Sequence, residues 1–290
     1  MFLKSIKYLV SLLISIYLFN KISKEIFINL DQLQILTNKI YLIILILIIF
    51  IPIFYFLSLK LVYLINNLKK VKFINSFKAT VISYTYNLFL PAKSGDLFRY
   101  KYLDLKIKFI DFLNINIVEK LLSLSVLLIL VFFSYLISSY EITRLIKINE
   151  FYIFFLFILL LVSIFFLIKK ITLKNKNLRS KIRNLIFFDF LIWSLQFLQI
   201  FLIIKTLDVE MSIFETIFIF GTSILAGLLP ISIGGFGVRD YVIFLLFSNL
   251  EIDGNLFLIL MLFNLRYILP IIISFFFSVS NLFNLNKLKF

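Results

Sequence analysis

The run Leu225-Ala226-Gly227-Leu228-Leu229-Pro230-Ile231-Ser232-Ile233-Gly234-Gly235-Phe236-Gly237-Val238-Arg239-Asp240-Tyr241 decides how the rest of the chain is read. The protein has only 7 Gly and 4 Pro, and four of those Gly and one Pro fall here, in an apolar stretch closed by an Arg-Asp pair. Pro removes a backbone donor, and Gly tolerates conformations and close approaches that other residues resist. In a chain this poor in helix breakers, the cluster marks an interrupted apolar helix with polar backbone exposed at depth.

Composition says what that depth is. The 290 residues are 62% hydrophobic, where soluble domains hold roughly 45–50%. The reading is an all-α integral membrane protein, a single polytopic domain over 1–290. With no Cys and no His, disulfides, thiol nucleophiles, and His ligands or bases are excluded. The carboxylates are too scattered for a metal cage, so no metal and no cofactor is expected. The net charge of +15 alternates between loops, as orientation in a bilayer requires. It points to anionic or lipid-linked membrane lipids as partners, and not to nucleic acid.

A crossing helix needs about 20 apolar residues. Outward from the glycine run, apolar stretches fall at 3–19, 40–59, 115–139, 151–168, 184–204, 213–229, 241–250 and 256–283. They give about 7–8 transmembrane helices. Lys4 and Lys7 precede the first, and no small-residue cleavage site follows it, so it is read as a retained helix. Pro52 is expected to kink the second. The stretch 79–91 is short and has basic flanks on both sides, 60–78 with five Lys and 92–112. It is read as re-entrant, and 225–241 as a second broken segment.

Loop charge fixes orientation. The N-terminus, 60–78, 92–112, 169–183 and the C-terminus hold 21 Lys/Arg and 3 acids, while 20–39, 140–150, 205–215 and 249–255 hold 6 and 9. The first set, with both termini, is therefore expected in the cytoplasm, and the membrane is expected to be a bacterial inner membrane.

The two Pro/Gly segments echo each other. Leu90-Pro91 leads through Gly95 to Arg99, and Leu229-Pro230 leads through Gly234 to Arg239. Paired interrupted segments point to a transport site in membrane chains, although so short a pattern also arises by chance.

These residues carry a resemblance to a family. Asn87-Leu-Phe-Leu-Pro91-Ala-Lys-Ser-Gly95-Asp96-Leu-Phe-Arg99 resembles the N-x-x-x-P-x-x-x-G-E-x-x-R stretch of the lysylphosphatidylglycerol synthase transmembrane, or flippase-like, family. Val118-Glu119-Lys120 resembles its V-x-E-R. Pro230 through Gly234, Gly235, Gly237, Arg239 and Asp240 resembles its P-x-x-x-G-G-x-G-x-R-E, and Arg266-Tyr267 with Pro270 is similar to its terminal Y-R-x-x-x-x-x-P helix. The likeness covers about 79–275. Asp96 and Asp240 stand where Glu is usual, and Lys120 where Arg is usual. Larger members add a soluble aminoacyl-transferase domain, and the stretch up to Phe290 contains none. The resemblance implies translocation of a polar-headed lipid, or membrane support for an enzyme that makes one.

Charges inside the apolar stretches are the candidate site. Arg266 lies about 15 Å into its span at 1.5 Å per residue, where an unpaired Arg is costly and faces a cavity or a partner. Arg99, Arg239 and Arg266 are the proposed clamp for a lipid phosphate, since the guanidinium fork suits that anion. Glu119, Asp189, Asp240 and Asp96 are the candidate counter-charges or coupling groups. Pro91, Gly95, Pro230, Gly234, Gly235 and Gly237 are the breaks or hinges. Gln196 and Gln199, three apart on one face, suit interhelical hydrogen bonds.

Three functions stay open on sequence alone. One is a flippase-like carrier for a phospholipid or prenyl-phosphate-linked lipid. It has no G-x-x-x-x-G-K nucleotide motif and would run on a gradient, the potential or downhill flux. Another is a non-catalytic membrane partner of a lipid-modifying enzyme or glycosyltransferase. The third is a membrane lipid-phosphate enzyme, disfavoured by the lack of His and of paired Asp.

Overall fold

A computed structural model describes residues 38–66, 70–103, 108–138, 150–172, 176–229, 235, 237–250, 252 and 256–285. The helices expected at 3–19 and the loops 20–37 and 140–149, with Pro230 and Gly234, lie outside them. Every regular element among the described residues is helical. In chain order they are α1 (Ile40–Ile48), α2 (Phe50–Ile65), α3 (Phe73–Phe89), a 3-10 segment (Pro91–Leu97), α4 (Phe98–Tyr102) and α5 (Phe109–Ile137). Then follow α6 (Glu150–Thr172), α7 (Lys176–Thr206), α8 (Ile213–Gly227), α9 (Val238–Asn249), α10 (Leu256–Leu265) and α11 (Ile268–Leu285).

Four stretches are long and apolar enough to cross a membrane: Ile40–Ile65, Phe109–Ile137, Leu178–Thr206 and Leu256–Phe277. The described residues therefore do not reach the expected seven or eight crossings. The outward faces of these helices are apolar. Ile51, Phe165, Phe275 and Phe276 are each more than 60% accessible. In water such a surface would aggregate; in a bilayer it is the solvated one.

Two prolines set where helices stop. Pro52 has no N–H for the Ile48 carbonyl, and the span Ile40–Ile65 is interrupted at Ile49. Pro270 likewise leaves the Arg266 carbonyl without its donor, and α10 and α11 part at Arg266-Tyr267. Both breaks fall three or four residues upstream of the ring, where helix geometry puts the lost bond and the clash.

The basic segments are more helical than the apolar windows suggest. α2 runs to Ile65, α3 begins at Phe73, and α7 begins at Lys176. Apolarity measures fit to the bilayer, whereas helix formation needs only backbone bonding, so helices outrun their apolar windows. Lys60, expected in the basic loop 60–78, lies instead within α2 at 2% accessibility.

Side-chain contacts order the bundle. Asn184 donates to the Tyr63 hydroxyl at 2.8 Å and Lys181 donates to the Tyr63 carbonyl, so the end of α2 meets the start of α7. Lys39 pairs with Asp208, so the start of α1 meets the end of α7. The spans Ile40–Ile65 and α7 therefore run antiparallel. At one end Leu61, Ile65, Ala79, Leu103, Phe112 and Leu185 form an apolar cluster. Toward the other, Val126, Ile200, Ile203, Phe220, Ile243 and Phe263 form a larger one.

Two segments turn back between these clusters. The 3-10 segment folds down along α3, since a Cβ at Gly95 would lie 2.7 Å from the Ser83 carbonyl oxygen and 2.6 Å from the Asn87 nitrogen. The chain is back at the level of Ala79 by Leu103, which shares its cluster. On the other side α8 and α9 form a hairpin, with Phe220 against Phe247. At about 22 Å and 18 Å these helices are shorter than a bilayer core of about 30 Å. Ser212 caps α8: its hydroxyl accepts from the Glu215 N–H, and the Glu215 carboxylate accepts from the Ser212 N–H. At the hairpin tip Gly235 has φ +83, and a Cβ there would lie 2.8 Å from the Gly227 carbonyl oxygen. Glycine is required on both counts.

Candidate functional site

Between the two apolar clusters lies a cavity of about 130 Å³. It is walled by Leu57 and Lys60 of α2, Tyr84, Asn87 and Leu88 of α3, and Asp96 and Arg99 of the returning segment. Glu119, Lys120 and Ser123 of α5, Asp189, Ile192, Trp193 and Gln196 of α7, Ile224 of α8, and Arg266 and Tyr267 at the α10–α11 break complete it. Seven elements thus place polar side chains or their packing at one depth.

One wall is a row of ion pairs. Lys60 Nζ stands 2.6 Å from Asp189 Oδ1 and 3.8 Å from Glu119 Oε1. Arg99 Nη1 donates to Glu119 at 3.1 and 3.3 Å, and Arg99 Nη2 lies 2.8 Å from Asp96 Oδ1. Asp96 Oδ2 pairs with Lys120. Arg99 Nε donates to the Ser83 hydroxyl at 2.8 Å, and Asn87 Nδ2 donates to Asp96 Oδ1 at 3.0 Å. The Gly95 approach to α3 brings Asp96 and Arg99 within reach of Asn87 and Ser83. Burying so many charges is tolerable only when each has a partner and its remaining bonds are filled.

A second cluster, which reaches the cavity through Tyr84, Arg266 and Tyr267, is built differently. Arg239, the second residue of α9, donates from Nη1 to the Tyr267 hydroxyl at 2.8 Å and from Nη2 to Asp240 Oδ1 at 3.3 Å and to Asn264. Asp240 also accepts from the Gly237 N–H at 3.2 Å, which fixes the carboxylate at the start of its own helix. Arg266 Nη2 donates to the same Tyr267 hydroxyl at 2.9 Å. Both guanidinium groups lie over the Phe263 ring, at 4.5 Å for Arg239 and 4.1 Å for Arg266. Tyr267 in turn stacks on Tyr84, with ring centroids 6.0 Å apart. Two cations therefore converge on one phenol and one aromatic ring, and the one carboxylate there, Asp240, pairs with Arg239.

Arg266 is the cation left over. It is 4% accessible, lines the cavity, and its Nε is buried with no hydrogen-bond partner. Among the described residues no carboxylate lies within ion-pair distance of it. Each group offered as its counter-charge is engaged elsewhere: Glu119 with Arg99 and Lys60, Asp189 with Lys60, Asp240 with Arg239. Around the cavity four cations face three carboxylates. Glu119 and Asp96 each bridge two cations and Asp189 pairs with Lys60, and among the described residues no group of three or more is gathered to hold a metal.

The expected clamp is thus brought together only in part. Arg239 and Arg266 share Tyr267, while Arg99 faces the cavity that Arg266 lines with each of its three nitrogens already in a bond or ion pair. Arg99 is 5% accessible and Asp189 1%, so both side chains are buried within the bundle. Gln199 donates to the Ile46 carbonyl at 2.7 Å, the interhelical bond its position suggested, while Gln196 lines the cavity. Among the breaks, Gly95, Gly235 and Gly237 sit where the backbone turns, and the segment Pro91–Leu97 is the 3-10 turn.

Lys60, Ser83, Tyr84 and Asn264 join the site without being among the residues the sequence singles out, and Asn87, Lys120 and Tyr267 of its motifs gain a role there. A signal for Lys60 exists: Ile53, Leu57, Lys60, Leu61 and Leu64 fall on one helical face, the buried one.

The chain matches, over residues 5–274, the family described as Lysylphosphatidylglycerol synthase TM region. It belongs to that family. The lysylphosphatidylglycerol synthase TM match starts well before residue 79, where the legible motifs begin, so the family region includes the first apolar stretches. Together with the apolar outer faces it makes the chain an integral membrane protein linked to lipid handling. No curated protein matches it.

Proposed function

We propose that this member of the lysylphosphatidylglycerol synthase TM family is a flippase-like carrier that takes the phosphate of a polar-headed lipid into the buried cavity. The lipid tails remain in the bilayer. Arg266 is the observation that carries this reading: a guanidinium buried at depth, facing a cavity, with a donor unfilled and no carboxylate of its own. A phosphate diester supplies the missing charge and acceptor oxygens. Arg239 stands beside it through Tyr267 and holds the phenol that orients both. The cavity has the volume of about four waters at about 30 Å³ each, which suits a phosphate with a small head group. Membrane lipids are then the partners. In this reading both termini lie in the cytoplasm, as the basic loops favour, and the membrane is a bacterial inner membrane.

The test is reconstitution into liposomes with head-group-labelled phospholipid. A charge-assisted bond to phosphate is worth about 1.5–3 kcal/mol. Arg266→Ala should therefore slow translocation roughly tenfold to a hundredfold, and Arg239→Ala should do likewise by releasing Tyr267. Unchanged rates in both variants would sink the reading.

A further inference from the structure

Six charges cross the cavity as one row of alternating sign: Asp189, Lys60, Glu119, Arg99, Asp96 and Lys120. Its ends differ. The Lys120 side chain is 40% accessible, while that of Asp189 is 2% accessible. Within the row Arg99 commits Nε to Ser83, Nη1 to Glu119 and Nη2 to Asp96. Asp189 holds Lys60 through Oδ1, and its Oδ2 is buried with no hydrogen-bond partner.

We propose that seating a lipid phosphate between Arg266 and Arg99 puts a proton on Asp189, so that anion and proton move together. The inference rests on the anion-carrier reading above. Of the five N–H donors of Arg99, one goes from Nε to Ser83, Nη1 serves both Glu119 oxygens and one on Nη2 meets Asp96, so a phosphate gripped by two parallel N–H groups displaces one of its carboxylates. If Glu119 is released, its nearest remaining cation is Lys60, at 3.8 Å. An ammonium on a flexible stem can change partner without rebuilding a planar fork. Lys60 closes on Glu119, and Asp189 is left buried without a cation. A carboxylate in that position takes up a proton rather than stay charged. The charged groups acting on it are Lys60 from α2 and Glu119 from α5, with the Ser123 hydroxyl beside them. Arg266 lines the same cavity but makes no ion pair with it. The proton comes from water when the anion arrives and returns to water when the anion leaves and the row re-forms. One proton accompanies each anion, which lets a proton gradient drive a carrier that has no nucleotide motif.

The experiment is calorimetric titration of the purified full chain with dioctanoyl phosphatidylglycerol, in paired buffers of different ionisation enthalpy. Such pairs count the protons taken up. Wild type should take up about one proton per lipid in mildly alkaline buffer, and affinity should fall about tenfold per pH unit across the range in which the lipid-bound form holds a proton that the free form has lost. Asp189→Asn is a neutral isostere of the protonated acid. It should bind with no proton uptake, independently of pH, and in alkaline buffer more tightly than wild type. PH-independent binding by wild type without proton uptake would overturn the coupling and leave the carrier reading intact. Equal uptake by Asp189→Asn would overturn the assignment to Asp189. No binding by wild type, or undiminished binding by Arg266→Gln, would remove the anion site and the coupling with it.

Discussion

Lys60 shows what a single residue can hide. A hydropathy window ends at residue 59 and gives the lysine to the cytoplasm. The helical period instead puts it on the buried stripe with Leu57, Leu61 and Leu64. Its partner could not be read from spacing, because Asp189 lies 129 residues away and meets it only through the packing of α2 against α7. Arg266 was legible by contrast, since a charge ten residues into an apolar span stands out whatever its neighbours are. Its lack of a carboxylate was not legible, because that depends on which helices the acids sit on. The burial of the Lys60–Asp189 pair makes a measurable demand. Lys60→Met leaves a carboxylate uncompensated and should cost about 3–5 kcal/mol. Adding Asp189→Leu should recover much of that loss, because the uncompensated charge goes too. Chemical denaturation in detergent reads both. A neutral Lys60→Met would mean that the pair is solvated.

At the scale of elements, breaks were readable and their consequences were not. Each Pro announces a lost backbone bond, and Pro52 and Pro270 interrupt their helices close to where that bond is missing. What Pro270 does for the protein is set by position: the break frees Arg266 and Tyr267 from a regular helix at the depth of the cavity. Gly95 has a comparable role by contact. It lets the returning 3-10 segment lie against α3, and that approach delivers Asp96 and Arg99 to the row of charges. A methyl there meets backbone rather than a movable side chain. Gly95→Ala should therefore destabilise the chain by about 1–3 kcal/mol and weaken anion binding more than a lipid-facing substitution of equal cost. Comparing thermal midpoints with lipid affinity checks this, and an alanine variant that binds normally would contradict it. Gly95 and Gly235 both admit backbone against backbone, although one segment follows a single helix and the other closes a hairpin; the sequence echo pairs Gly95 with Gly234, which lies outside the described residues.

Over the whole molecule, helical class and membrane residence could be read from composition, because a bilayer demands apolar surface everywhere outside. The layering could not. Two apolar clusters enclose a polar layer, and that arrangement follows from helix order rather than from any local pattern. Loop charge does make one global statement that can be checked. The chain contains no Cys, so single cysteines report cleanly. A cysteine at Lys170 should be labelled only from the cytoplasmic side, and one at Asp208 only from outside; the reverse would invert the orientation. The backbone contacts bear on how this sequence is free to change. The protein carries 38 Phe and 7 Gly, a vocabulary tilted toward a few bulky apolar residues. Lipid does not distinguish Phe from Ile or Leu by shape, so outward positions such as Phe165 or Phe276 can drift among them. Gly95, Gly221 and Gly235 cannot, because an added Cβ at each would lie within 3.0 Å of a neighbour. A saturation library should find broad tolerance on the outer faces and near-silence at these three positions. Mutational pressure on this chain can rewrite its skin while the points where backbones or helices touch hold still.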